Sequence, residues 1–178
     1  DVSKMRFVEA AGVTTHVETW GAGDPVFLIH GASSHIGTWE PTIVPLLKNE
    51  FLVAAYDRPG MGYTTDRPAG SDTLAVQAKV AADVIEKLGL KKPVVIAHSW
   101  GGAVALRLAL DRPDLVGGLV LIAPAWDMTE ELMWKQFNLK ARRELEDTGV
   151  FRQPSEYGEP YAITRALIEE GRSHLMAK

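Results

Sequence analysis

The sequence predicts an α/β fold: a mostly parallel sheet of about six strands with flanking helices, followed by a helical segment. Three observations predict it. Four apolar runs of strand length occur at Val26–Ile29, Phe51–Tyr56, Pro93–Ala97 and Leu119–Ala123. They do not alternate with polar residues, which marks strands buried on both faces. Segments of helical period separate them, the spacing of right-handed βαβ units. After Ala125 the texture turns charge-rich and carries no strand-like run.

The elements follow in order. Met5–Glu9 and Thr14–Trp20 are β-favouring runs around Ala11-Gly12 and read as a hairpin that forms an antiparallel edge. Asp24-Pro25 breaks the chain before the first buried strand. Trp39–Lys48 reads as a helix, with Pro41 tolerated in its first turn. Phe51–Tyr56 ends at the turn-rich loop DRPGMG, Asp57 to Gly62. Ser71 or Asp72 is expected to cap the next helix, which places Val76, Val80, Val84, Ile85 and Leu88 on one face. Gly89 stops it. Ser99–Leu110 reads as a helix that Pro113 terminates. Thr129–Asp147 and Tyr161–Met176 read as helices joined by a loop with Gly149, Pro154, Gly158 and Pro160. The expected organisation is a core over residues 1–126 and a helical segment over 127–178.

Composition narrows the function. A chain of 178 residues can bury one good core. A net charge of −4 gives no reason to expect nucleic acid or an anionic membrane surface as partner. The absence of cysteine removes thiolate nucleophiles, disulfides and cysteine-ligated metals. No apolar run approaches the roughly 18 residues of a membrane span, and a cytoplasmic setting is the expectation. No cofactor is implied, and no spacing of histidines suggests a metal.

The chemistry concentrates in VVIAHSWGGAVALRL, Val94 to Leu108. Ser99 stands where a predicted strand turns into a predicted helix. A tight turn there crowds the positions two before and two after, and these are Ala97 and Gly101. This is the G-x-S-x-G nucleophile-elbow pattern with alanine for the first glycine. The new helix aims free N–H groups at the site, so Trp100 N–H is a candidate oxyanion donor. The plain alternative is a serine that only caps the helix. In LIHGASSH, Leu28 to His35, the loop after the first buried strand offers a second donor. Ala32 N–H is the first choice and Ser33 the next. The alternative is an ordinary turn in which Gly31 relieves backbone strain.

HGASSHIGTW, DRPGMG and AHSWGG occur in that order on successive strands. Together they resemble the α/β-hydrolase superfamily, over about Met5 to Trp126. The resemblance implies Ser99 as nucleophile, Ala32 and Trp100 N–H groups as the oxyanion hole, and residues 127–178 as a helical cap. The PSEYGEPYAITRALIEEGRSH stretch is similar to cap sequence of small carboxylesterases and acyl-thioesterases. Dehalogenases and epoxide hydrolases of the superfamily use aspartate at the elbow, so serine implies esterase-type acyl chemistry. A small-molecule ester or thioester is the implied substrate. Ser33, His35, Trp39, Trp126, Met133 and Phe137 are candidates for its pocket, with plain core packing as the alternative.

A serine needs a base, and the base an orienting carboxylate. The resemblance implies that these follow the seventh and eighth strands of the superfamily, which are not found here. His30 reads as a support of the oxyanion loop, and His98 is expected to point away from Ser99. His16 lies on the edge hairpin. His35 and His174 are weak candidates for the base. Asp127 follows the sixth strand, where some members place the triad acid; the alternative is a cap for the helix near Thr129. The expectation is a front portion of a longer enzyme, inactive or weak as an isolated segment. Its last strand would be an open edge through which it could form a homodimer. A non-catalytic relative that keeps the pocket is the rival function. A nucleotide-binding domain is set aside because neither Gly21–Gly23 nor Gly60–Gly62 meets the dinucleotide fingerprint.

Overall fold

The computed structural model describes residues 6–155 and 158–176. Met5, where the first strand was expected to begin, lies outside the described residues, as do Glu156 and Tyr157 and the last two positions of the chain. The chain divides into two compact units after Ala125.

The first unit holds a six-stranded sheet in the order β1-β2-β4-β3-β5-β6. Its strands are β1 (Arg6–Ala10), β2 (Val13–Trp20), β3 (Asp24–Ile29), β4 (Phe51–Tyr56), β5 (Val94–His98) and β6 (Gly118–Ile122). The expected hairpin forms, with Ala10 opposite Val13, and β2 pairs antiparallel with β4. The pairs β3–β4, β3–β5 and β5–β6 are parallel. Asp24 and Pro25 belong to β3 instead of preceding it. Proline is tolerated at the start of a strand, where its missing N–H costs little.

Alternation along the central strands builds the core. Val26 and Leu28 of β3 join Val53 and Ala55 of β4 in a cluster with Ile36, Trp39 and Val44. On the strands' other side Phe27 stacks on Tyr56, ring centroids 5.2 Å apart. The helix α2 (Leu74–Lys87) packs against α3 (Trp100–Asp111) and β1, and α3 lies against β3, β5 and β6. The cap of α2 is Thr73, whose hydroxyl accepts from Val76 N, and neither Ser71 nor Asp72 takes that place.

The expected helix Trp39–Lys48 is much shorter. A 3-10 turn covers Ile36–Thr38, and only Val44–Leu47 is α-helical, as α1. Pro41 and Pro45 each remove an N–H from this stretch, which leaves turns bonded back to the Trp39 carbonyl.

The second unit departs furthest from expectation. Its predicted first helix is split into a π-helical turn at Thr129–Met133, a 3-10 turn at Trp134–Gln136 and α4 (Leu139–Thr148). Asn138 caps α4 and starts it afresh. Gly149 then ends it in left-handed conformation. Two strands follow, β7 (Val150–Gln153) and β8 (Tyr161–Thr164), paired antiparallel, before α5 (Arg165–Ser173). The expectation of an all-helical segment is thus corrected. Each strand has four residues, and Ile163 alone among the eight is buried, so a period-two signal does not stand out. Leu145, Ile163 and Ile168 form the small core of this unit.

Candidate active site

β5 delivers the chain to Ser99, whose N–H bonds the Ile122 carbonyl at 3.0 Å. α3 begins one residue later. Ser99 stands at φ 53°, ψ −121°, a region that costs a non-glycine residue about 1–3 kcal/mol. A capping serine has extended backbone and accepts an N–H from the first turn. Ser99 fills the cap position but has neither the backbone nor the side-chain bond.

The small residues around it are forced by sterics. A Cβ on Gly101 would lie 2.5 Å from the carbonyl oxygens of Ile29 and His30. One on Gly102 would lie 2.7 Å from Pro124 Cβ. Ala97 is fully buried. Gly31 has no left-handed backbone to relieve. A Cβ there would meet His98 Nδ1 at 2.9 Å and Ser99 Cβ at 3.2 Å. The loop after β3 therefore presses directly on the strained turn, and glycine is what permits the approach.

That loop is braced from below. Arg58 follows β4 and is 2% exposed. Its Nε donates to the His30 carbonyl at 3.0 Å, Nη2 to the Gly31 carbonyl at 2.7 Å, and Nη1 to Gln77 Oε1 at 2.8 Å. Gln77 Nε2 in turn donates to the Ser71 carbonyl. Arg58 N–H donates to His30 Nε2 at 3.0 Å, so the ring proton sits on Nδ1, which donates to the Gly31 carbonyl at 2.9 Å. Burial, helped by the Arg58 charge, pushes the His30 pKa down to about 4. His30 is neutral at pH 7 and supports the loop, as the sequence implied.

Asp57 makes a second brace. Its Oδ2 accepts from His16 Nδ1 at 2.8 Å and from Tyr63 N, and its Oδ1 accepts from Ile36 N at 2.8 Å. The edge hairpin, the loop after β3 and the chain after β4 are thus tied to one carboxylate. Sequence reasoning missed Arg58, Gln77, Asp57 and the His16 contact. The available signals were a polar Gln77 on the buried face of α2 and charges right after a buried strand.

The remaining candidates fall in different places. Ala32 and Ser33 are exposed in the loop, and Ser33 is left-handed at φ 52°. His35 is spent locally, since its Nδ1 accepts from Gly37 N and caps the Ile36–Thr38 turn. Trp39 is 4% exposed and packs in the core. It also lines a recess of about 220 Å³ with His30, Gly31, Ile43, His98 and Ile122. Ser99 does not line that recess. Among the described residues, no histidine ring hydrogen-bonds the Ser99 hydroxyl.

The other candidates belong to the second unit. Met133 and Phe137 pack against its core, with Phe137 edge-on to Phe151, while Trp126 is 45% exposed. Asp127 lies one residue before Met128, which holds the cap position of the Thr129–Met133 turn. Its Oδ1 accepts from Met176 N at 2.7 Å. His174 closes α5 through its backbone N–H to Gly171.

An outward turn with free helix N–H groups and an abutting loop amide can hold a tetrahedral oxyanion. Comparison with known proteins agrees with this frame. Residues 24–170 match the family model described as alpha/beta hydrolase fold. A 2-hydroxy-6-oxo-2,4-heptadienoate hydrolase of Pseudomonas putida is 34% identical over 134 residues, 71% of this chain and 48% of its own. An esterase of Mycobacterium tuberculosis is 33% identical over 125 residues, 70% of this chain and 40% of its own. A soluble epoxide hydrolase of Corynebacterium is 34% identical over 111 residues, 62% of this chain and 38% of its own. A solved protein of Agrobacterium vitis superposes with TM-score 0.71 over 97% of this chain and 72% of its own. Its 23% identity speaks for the fold alone. The chain spans less than half the length of these curated relatives.

Proposed function

The chain belongs to the α/β-hydrolase fold family, and from that premise we propose that the whole protein is a serine hydrolase of carboxylic esters or thioesters. Ser99 Oγ attacks the acyl carbon while a general base takes its proton. The N–H groups of Ala32 and Trp100 receive the developing oxyanion. The alcohol or thiol leaves with a proton, and water releases the acid from the acyl-enzyme. The observation that carries the reading is the strained backbone of Ser99 at φ 53° with its side chain left out of the helix cap. Serine at this turn favours acyl over alkyl-enzyme chemistry, and the Mycobacterium esterase supports an ester substrate. Asp127 stands as the candidate acid, and a cytoplasmic setting is part of the same proposal.

The test compares the full gene product with Ser99→Ala. A fluorophosphonate probe should label the parent at Ser99, and p-nitrophenyl ester hydrolysis should fall at least about 1,000-fold in the variant. Equal rates, or a parent that resists the probe, would turn the reading toward a non-catalytic relative that only keeps the pocket.

A further inference from the structure

The buried guanidinium of Arg58 needs an explanation. Among the described residues it faces no carboxylate, and its donors end on two main-chain carbonyls and one side-chain amide. A desolvated cation of this kind is costly, and an apolar side chain of similar volume commonly gives equal or better stability. Arg58 spends two donors on the His30 and Gly31 carbonyls alone.

The Gly31 carbonyl belongs to the same peptide unit as the Ala32 N–H. In a trans peptide the two point in opposite directions, and the described chain has no cis bond. Arg58 Nη2 and His30 Nδ1 together fix the carbonyl inward, so the Ala32 N–H is turned outward. Ala32 is exposed, and its neighbour Gly31 touches the Ser99 turn. A carbonyl that accepts two bonds, one from a cation, also polarises its own amide and strengthens the N–H as donor.

We propose that Arg58 is a positioning residue for oxyanion stabilisation: through the Gly31 carbonyl it orients and polarises the peptide whose Ala32 N–H receives the oxyanion formed at Ser99. The role rests on the serine-hydrolase reading above. Arg58 touches no substrate atom and acts only through the peptide. Gln77 contributes by holding the third arm of the guanidinium without neutralising it.

The experiment uses Arg58→Lys and Gln77→Glu in the full gene product. Lysine keeps a charge but cannot reach both carbonyls with a planar fork. Glutamate places a neutralising carboxylate on the guanidinium. Labelling with carbonyl-13C glycine and 15N alanine restricts the spectrum to Gly–Ala pairs and reports the Ala32 amide. In both variants its proton resonance should move upfield, and kcat should fall about tenfold or more with KM within about twofold. Thermal melting identifies which variants are folded, and either folded variant decides the matter. A folded variant that keeps the Ala32 resonance and kcat overturns the proposal. So does a variant in which kcat falls while the resonance stays, because that is a general structural loss. A parent whose turnover is unchanged by Ser99→Ala fails the hydrolase reading itself, and that result needs no Arg58 variant.

Discussion

At the residue scale, Ser99 concentrates the conflict between stability and placement. Its φ of 53° belongs to glycine territory, yet a glycine would carry no hydroxyl. Relieving the strain should therefore stabilise the chain. Ser99→Gly is expected to exceed Ser99→Ala in unfolding free energy by about 1 kcal/mol or more, because alanine keeps the Cβ that the conformation disfavours. Urea titrations of the two variants measure this, and an alanine variant as stable as the glycine variant would mean the turn is unstrained. The AHSWGG motif was legible beforehand because its constraint is local: small residues flank a sharp turn, whatever lies elsewhere. Arg58 and Asp57 were not legible as braces. Their partners lie across the fold, at His30, Gly31 and His16, and DRPGMG by itself reads only as a turn.

At the element scale, the junction between β3 and its loop turns on a histidine that stays neutral. His30 is held near pKa 4 by burial and by the Arg58 charge, against 6.5 in an unfolded chain. The unfolded state therefore binds a proton between pH 6.5 and 4 while the folded state does not. Stability from this group is fully present above pH 6.5 and is lost as pH falls toward 4, on the order of 3 kcal/mol in all. His30→Gln cannot titrate, so its stability should fall less steeply across that window. Denaturant midpoints at a series of pH values decide it, and parallel curves for the two proteins would rule the mechanism out. The elements themselves were legible in proportion to their length and burial. Phe51–Tyr56 emerged with its bounds intact because both faces are apolar. The stretch after Trp39 did not, because Pro41 and Pro45 remove donors that a hydrophobic pattern does not register. The β7–β8 hairpin was hidden for the opposite reason, with side chains too exposed to form a pattern.

At the scale of the whole molecule, the sheet has two unlike edges. β1 carries Arg6 and Glu9 and is backed by α2. β6 reads GLVLI, carries no charge, and pairs with β5 alone among the described residues. Val120 is 47% exposed, Ile122 40%, and Val94 on the neighbouring strand 38%. An uncharged apolar edge with unpaired N–H and carbonyl groups is a template for another strand. Both edges were expected beforehand, the hairpin edge from its β-favouring runs and this one from the family resemblance, whereas the order of the strands between them was not read from the sequence. Residues 1–178 prepared alone should consequently self-associate through β6, with a second copy as the nearest partner. Light scattering after gel filtration should give a mass above that of one chain, growing with concentration. Val120→Lys sets a charge on the exposed face and should shift the population toward monomer without lowering the melting temperature, since a half-exposed valine gives up little burial. A parent chain that elutes as a monodisperse monomer and melts cooperatively would show that this edge is satisfied in some other way.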